Sequence, residues 1–207
     1  MADLDEIAAV LSGESGTGAP FSSVYASCKR FREGGLVPKV TKHRAHGVYD
    51  PIHVARLIAG VAGSSTIGAA TTAAHALEDS ILDSGSAKHL SQCDDALRQM
   101  ALSPSDIAEA GENFITVLAK LLSIARDDPG DFERIFGETT IEIDRGSYDA
   151  RIELVAWPTP LASSPISCAL NFGADSPNSS PAEVRVEARF TARLLARAAR
   201  RIWWSQP

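Results

Sequence analysis

The sequence predicts a mostly α-helical protein whose C-terminal part is α+β, with a helical middle and a small antiparallel sheet followed by a terminal helix. Three observations carry this. Apolar residues recur at three- and four-residue spacing up to about Phe136. From Thr139 the period switches to alternation, as expected of half-buried strands. Thr191 to Trp204 then returns to a helical period with arginines on one side.

Composition narrows the class. The chain has 207 residues, 44% of them apolar, enough for one large domain or two small ones with a real core. No apolar run reaches the roughly 18 to 20 residues of a membrane span. The start, MADLDEIAAVL, is acidic and amphipathic, unlike a secretory leader. Cys28, Cys93 and Cys168 are far apart and form no Cys-x-x-Cys. That argues against a structural zinc and fits reduced thiols in a cytoplasm. Net charge is −6, unevenly spread. Residues 1–26 carry −4, residues 27–56 carry seven Lys/Arg against Glu33 and Asp50, and the remainder is acidic again. A basic island in an acidic chain is the footprint of a small nucleic-acid contact surface, or of an ordinary solvated face.

In chain order, Leu4, Ile7, Ala8 and Leu11 mark a short first helix. The following GESGTGAP has the glycines of a phosphate-binding loop. Ala19 and Pro20 stand where that loop needs Lys and Ser/Thr, so a linker is expected. Ser22 is a suitable N-cap for a helix over 23–33. Val24, Cys28 and Phe31 form its apolar back. Ser23, Ala26, Lys29, Arg30 and Glu33 form its front, and Gly34-Gly35 stops it. Residues 37–49 hold Lys39, Lys42, His43, Arg44 and His46 around Gly47, the composition of a hairpin wing or exposed loop. Asp50-Pro51 opens the next helix, with Val54, Leu57, Ile58 and Val61 as its stripe. This order of elements predicts an N-terminal winged helix.

Further on, 66–83 reads as an Ala-rich helix with Ile67, Ala70, Ala74, Leu77 and Ile81 on one stripe, and 88–101 as a short one. Ser103-Pro104 opens a helix expected to reach Arg126, and Asp131 to Phe136 adds a turn. Thr139–Ile143 and Ala150–Val155 read as a hairpin around Asp144-Arg145-Gly146-Ser147. Strands follow at 166–172 and 184–190, and the Arg-rich helix closes the chain. The expected segments are 1–65, the winged helix-turn-helix; 66–136, helical; and 137–207, a small α+β segment packed with it.

Lys29-x-Phe31-x-x-x-Gly35-Leu36, followed by Val48-Tyr49-Asp50 and Val54-Ala55-Arg56-Leu57, resembles the MerR-type winged helix-turn-helix. That family reads Arg-x-Tyr-x-x-x-Gly-Leu, then a wing ending in Tyr-Arg-x-Tyr-Asp, then a helix with Val-x-x-Leu. The resemblance covers residues 21–61. It implies that Lys29 and Arg30 face DNA, that Phe31 supports the recognition helix and that Tyr49 anchors the wing base. His46-Gly47 replace the wing's Tyr-Arg, and the C-terminal half lacks the family's long coiled-coil dimerisation helix.

The function expected is therefore sequence-specific binding of double-stranded DNA in the major groove by a homodimer, as in a bacterial or phage transcriptional regulator. Ser23, Ser27, Lys29 and Arg30 would contact the groove, and Lys39, Lys42, His43 and Arg44 the flanking backbone. The first alternative is a non-enzymatic adaptor whose basic patch docks on an acidic protein; the second is a small-molecule-sensing or enzymatic α+β domain carried by the DNA module. No nucleophile elbow, zincin or dinucleotide motif occurs, and no cofactor, metal or membrane partner is expected. Glu142 and Asp144 are assigned by alternation to a solvated sheet face rather than to an acid/base pair.

Overall fold

A computed structural model of the chain describes residues 4–14, 16–38, 49–159, 164–173 and 187–202. It is mostly helical, with one five-stranded sheet. The helices are α1 (Leu4–Leu11), α2 (Phe21–Glu33), α3 (Pro51–Ala62), α4 (Ala70–Glu78), α5 (Ser84–Ser91), α6 (Asp94–Arg98), α7 (Pro104–Ile107), α8 (Phe114–Asp127), α9 (Pro129–Phe136) and α10 (Arg193–Arg201). The strands are β1 (Ile81–Leu82), β2 (Thr140–Asp144), β3 (Ala150–Ala156), β4 (Ile166–Gly173) and β5 (Glu187–Thr191). The sheet runs β1-β4-β3-β2-β5, with every pair antiparallel. Register pairs Ile141 with Ile152 and with Phe190, so one face is a continuous apolar surface. Glu142 and Asp144 alternate onto the other face, where Arg189 Nε meets Glu142 at 3.1 Å.

The hub is the pair α3 and α8. Seven residues of α8 are buried, from Phe114 to Ala125, and α8 packs on α3, α4, α7, α9 and α10. Helix α3 is buried almost all round over its second half: Leu57, Ile58, Ala59, Gly60, Val61 and Ala62 are all inside. A helix apolar on every side must be covered on every side, and α8, α4 and α2 do this. The closest approach is at Gly60. A Cβ there would lie 2.4 Å from Phe31 Cζ and 2.5 Å from the Ala70 carbonyl oxygen. Gly60 thus admits the Phe31 ring of α2 and the start of α4 together.

Of the elements that differ from expectation, three have a visible physical reason. The Ala-rich helix ends at Glu78, and Ile81, expected on its stripe, is exposed in β1. Hydrogen bonds from outside draw 80–83 straight: Phe114 N–H donates to Ser80 O, Leu82 N–H to Glu112 O and Asp83 N–H to Asn171 O. Asp83 then caps α5, accepting from Ser86 N–H at 2.8 Å, and Ser86 Oγ accepts from Asn171 on β4. The long helix expected from Ser103 breaks after Ile107. Gly111 adopts a positive φ, and Asn113 restarts the chain as a true N-cap on Thr116 N–H. The GESGTG stretch is a folded loop rather than a plain linker. Thr17 donates through both N–H and Oγ1 to the Leu11 carbonyl at the end of α1, each at 2.9 Å.

The chain ends are tied together. Arg197 of α10 donates to Val10 O at 2.6 Å, where α1 leaves carbonyls unpaired. Arg200 bonds Glu133 at 2.7 Å. Two of the arginines expected to project from the last helix therefore brace the fold. The hairpin is tied the same way, Arg145 Nε donating to Ala62 O at 2.8 Å at the end of α3. One buried cluster runs from Ile7 to Ile202, across the boundaries expected at residues 65 and 136. No described helix is long and apolar enough to cross a membrane. Trp203 and Trp204 lie outside the described residues.

Gly60→Ala should cost about 2–3 kcal/mol in urea unfolding, since neither a buried ring nor a backbone carbonyl can yield cheaply. Gly68→Ala, whose Cβ would meet only Arg30 Nη1 at 3.8 Å, should stay within about 0.5 kcal/mol of wild type. Equal effects would contradict the close approach.

Candidate nucleic-acid interface

Helix α2 starts two residues earlier than the Ser22 cap predicts. Pro20 holds the N-cap position in an extended conformation and makes no side-chain cap. From there the helical phase decides each side chain's fate. Val24, Ser27, Cys28 and Phe31 are buried, while Ser22, Lys29, Arg30 and Glu33 are exposed. Lys29 reaches Glu33 at 3.9 Å with both side chains more than 60% exposed, so the pair is weak and Lys29 keeps its charge available. Arg30 leans toward the 3-10 turn Ile67–Ala69, near Gly68.

Ser23 lies half-buried on the flank. Ser27 corrects the sequence assignment: it is 3% exposed, so it cannot touch a groove that Lys29 and Arg30 enter. On the helical wheel it falls nearer the Val24–Phe31 stripe than the Lys29 side, and being small and polar it gave no warning. Lys39, Lys42, His43 and Arg44, with the expected wing around Gly47, lie outside the described residues.

What holds this face in place is visible on its back. Phe31 is fully buried at Gly60. Tyr49, also fully buried, accepts from Arg32 Nη2 at 3.3 Å, joining the end of α2 to the residue before the α3 cap. Burial pushes the Cys28 thiol up to about 12, against the pull of Arg32, so it packs as an apolar group rather than acting as a nucleophile. Sequence reasoning missed Phe21. It is 45% exposed and stacks on Tyr25 with centroids 6.1 Å apart. Placing the helix start after Ser22 hid its helical relation to Tyr25, four residues on.

Helix α3 begins at a capping box: the Asp50 side chain accepts from the His53 backbone, and Asp50 N–H donates to His53 Nδ1 at 3.1 Å. This needs a neutral imidazole. Burial holds His53 below the usual histidine value, against the opposing pull of Asp50 and with help from Arg56.

No known protein family, characterised protein or solved structure matches the chain. The likeness to the MerR-type module therefore rests on the residues of 21–61 themselves.

The His53 cap has a defined pH signature. Its stabilisation is complete above about pH 6.5, the unfolded value. It is lost as pH falls through that value toward the lower folded one, because the unfolded chain takes the proton first. His53→Gln keeps an acceptor at this position without titrating. Between pH 7 and pH 5, wild type should lose more stability than the variant in urea titrations. Parallel losses would contradict the assignment.

Proposed function

We propose that the chain is a non-enzymatic, sequence-specific DNA-binding protein, a transcriptional regulator of bacterial or phage type. In this reading the exposed face of α2 enters the major groove, with Lys29 and Arg30 on base edges or adjacent phosphates and Ser23 at the margin. Lys39, Lys42, His43 and Arg44 contact the neighbouring backbone and supply affinity and register. One module spans few base pairs, so two copies on paired half-sites are expected. The observation that carries the reading is the division of α2: a basic exposed face on a rigidly buried back, running into the net-positive stretch 27–56 of an acidic chain.

A second reading draws on Phe21 and Tyr25. An exposed Phe21 stacked on half-buried Tyr25, beside two cations, also suits docking on an acidic protein surface. Excess unrelated duplex separates the two, since it competes for a DNA site and leaves a protein-docking surface untouched if α2 does not bind nucleic acid.

Fluorescence anisotropy with random-sequence duplex, over a salt series from about 50 to 200 mM, tests the proposal. Affinity should fall log-linearly with salt. Lys29→Ala with Arg30→Ala should weaken binding at least about tenfold and reduce the slope by about two. Absence of binding at about 50 mM salt, or an unchanged slope in the double variant, would remove α2 from the interface.

A further inference from the structure

A cleft of roughly 680 Å³ opens where the loop after α1, the first turn of α2, the turn after α3 and the β2–β3 hairpin meet β5. Its character is set by hydroxyls and arginines. Ser23 lines it from α2, Ser64, Ser65 and Thr66 from the turn after α3, and Arg145 and Arg189 from the sheet side. Among the described residues of its wall, Glu187 is the one carboxylate. Arg189 is already engaged with Glu142 at 3.1 Å. Arg145 is fixed differently: its Nε is spent on Ala62 O at 2.8 Å, and it forms no ion pair with a described carboxylate. One tethered N–H holds the guanidinium still and leaves its two Nη groups to a ligand.

Two features of α2 point into the same space. Pro20 lines the cleft at the N-cap position and offers no side chain to the first-turn N–H groups, so the positive end of a 13-residue helix is uncapped there. Ser27 also lines the cleft, is 97% buried (3% exposed), and its hydroxyl has no hydrogen-bond partner among the described residues. The residue is buried but its hydroxyl is not sealed off, so the Oγ is a donor within reach of an acceptor in the cleft. Ser123 of α8, by contrast, bonds the carbonyl one turn back at 3.1 Å.

We propose that this cleft binds a small phosphate monoester carried on a hydroxylated body, such as a sugar phosphate. The phosphoryl group sits between Arg145, the N-terminus of α2 and the hydroxyls of Ser23 and Ser27. A tetrahedral phosphoryl group accepts from several directions at once, matching donors that converge from α2 and the hairpin; a planar carboxylate matches fewer. The Ser64, Ser65 and Thr66 hydroxyls face the remainder of the ligand. This site does not depend on α2 contacting DNA.

Isothermal titration calorimetry on the full chain tests it, using glucose 6-phosphate, glycerol 3-phosphate, inorganic phosphate and glucose. At least one phosphate monoester should bind below about 1 mM, inorganic phosphate more weakly, and glucose not at all. Arg145→Gln should weaken binding at least about tenfold. Because Arg145 also braces the hairpin, Ser27→Ala is the companion: its hydroxyl makes no bond in the fold, so the melting temperature should hold while affinity drops about threefold or more. No phosphate binding at about 10 mM, or full affinity in Ser27→Ala, would overturn the proposal. So would displacement of the bound monoester by duplex DNA together with loss of DNA affinity in Arg145→Gln, which would assign the cleft to a nucleic-acid backbone.

Discussion

The fold depends on the packing of α3 against α8, and on the missing side chain at Gly60 that lets a third and fourth element close over them. A helix carrying Leu57, Ile58, Ala59, Val61 and Ala62 in near-unbroken succession has no face it can give to water. Helix α8 covers one side. Phe31 and the start of α4 cover another, within a distance only glycine permits. Once Phe31 is seated, the rotation of α2 is fixed, and with it the outward direction of Lys29 and Arg30. The direction of this basic face is therefore a consequence of core geometry rather than of surface composition.

Arginines do the long-range joining. Arg145 and Arg197 each donate to a carbonyl at the C-terminal end of a helix, α3 and α1 respectively. Those carbonyls have no intrahelical partner and carry the negative end of the helix dipole. A guanidinium there satisfies an orphan acceptor and gains electrostatically. Burial lowers the tendency of Arg197 to hold its proton, with Arg201 adding repulsion, but a guanidinium remains charged at any working pH. The two ties connect the sheet and last helix to the first and third helices.

Much of this was legible in the residues. The β2–β3 hairpin, β4, β5 over Glu187–Phe190 and α10 follow from the change of period at Thr139 and fall close to the expected residues, 184–186 of the strand expected over 184–190 lying outside the described residues. Asp50-Pro51 announced α3, and the alternation of Glu142 with Ile141 and Ile143 put the carboxylates outside. What escaped was decided by partners distant in sequence. Ile81 fits a helical stripe, yet Asn171 and Glu112 pull its neighbours into extended chain. Gly111 and Asn113 carry signals for a stop and a start, but they are short beside the apolar period on either side. For the candidate site, the sorting of Lys29 and Arg30 from Phe31 was readable on a helical wheel. The same wheel puts Ser27 on the buried stripe, three residues after Val24 and four before Phe31, but a small hydroxyl suits either side. The cleft it lines is assembled from four separated stretches and has no contiguous sequence signature.

The central claim is that the outward face of α2, set by its buried back, is where nucleic acid binds. Amide hydrogen exchange of the full chain, with and without saturating duplex DNA at low salt, tests it most directly. The account predicts slowed exchange over residues 21–33 and 39–48, with the outer face of β3 and β4 unchanged. Protection confined to the sheet or to α10, or none under conditions of measured binding, would contradict it.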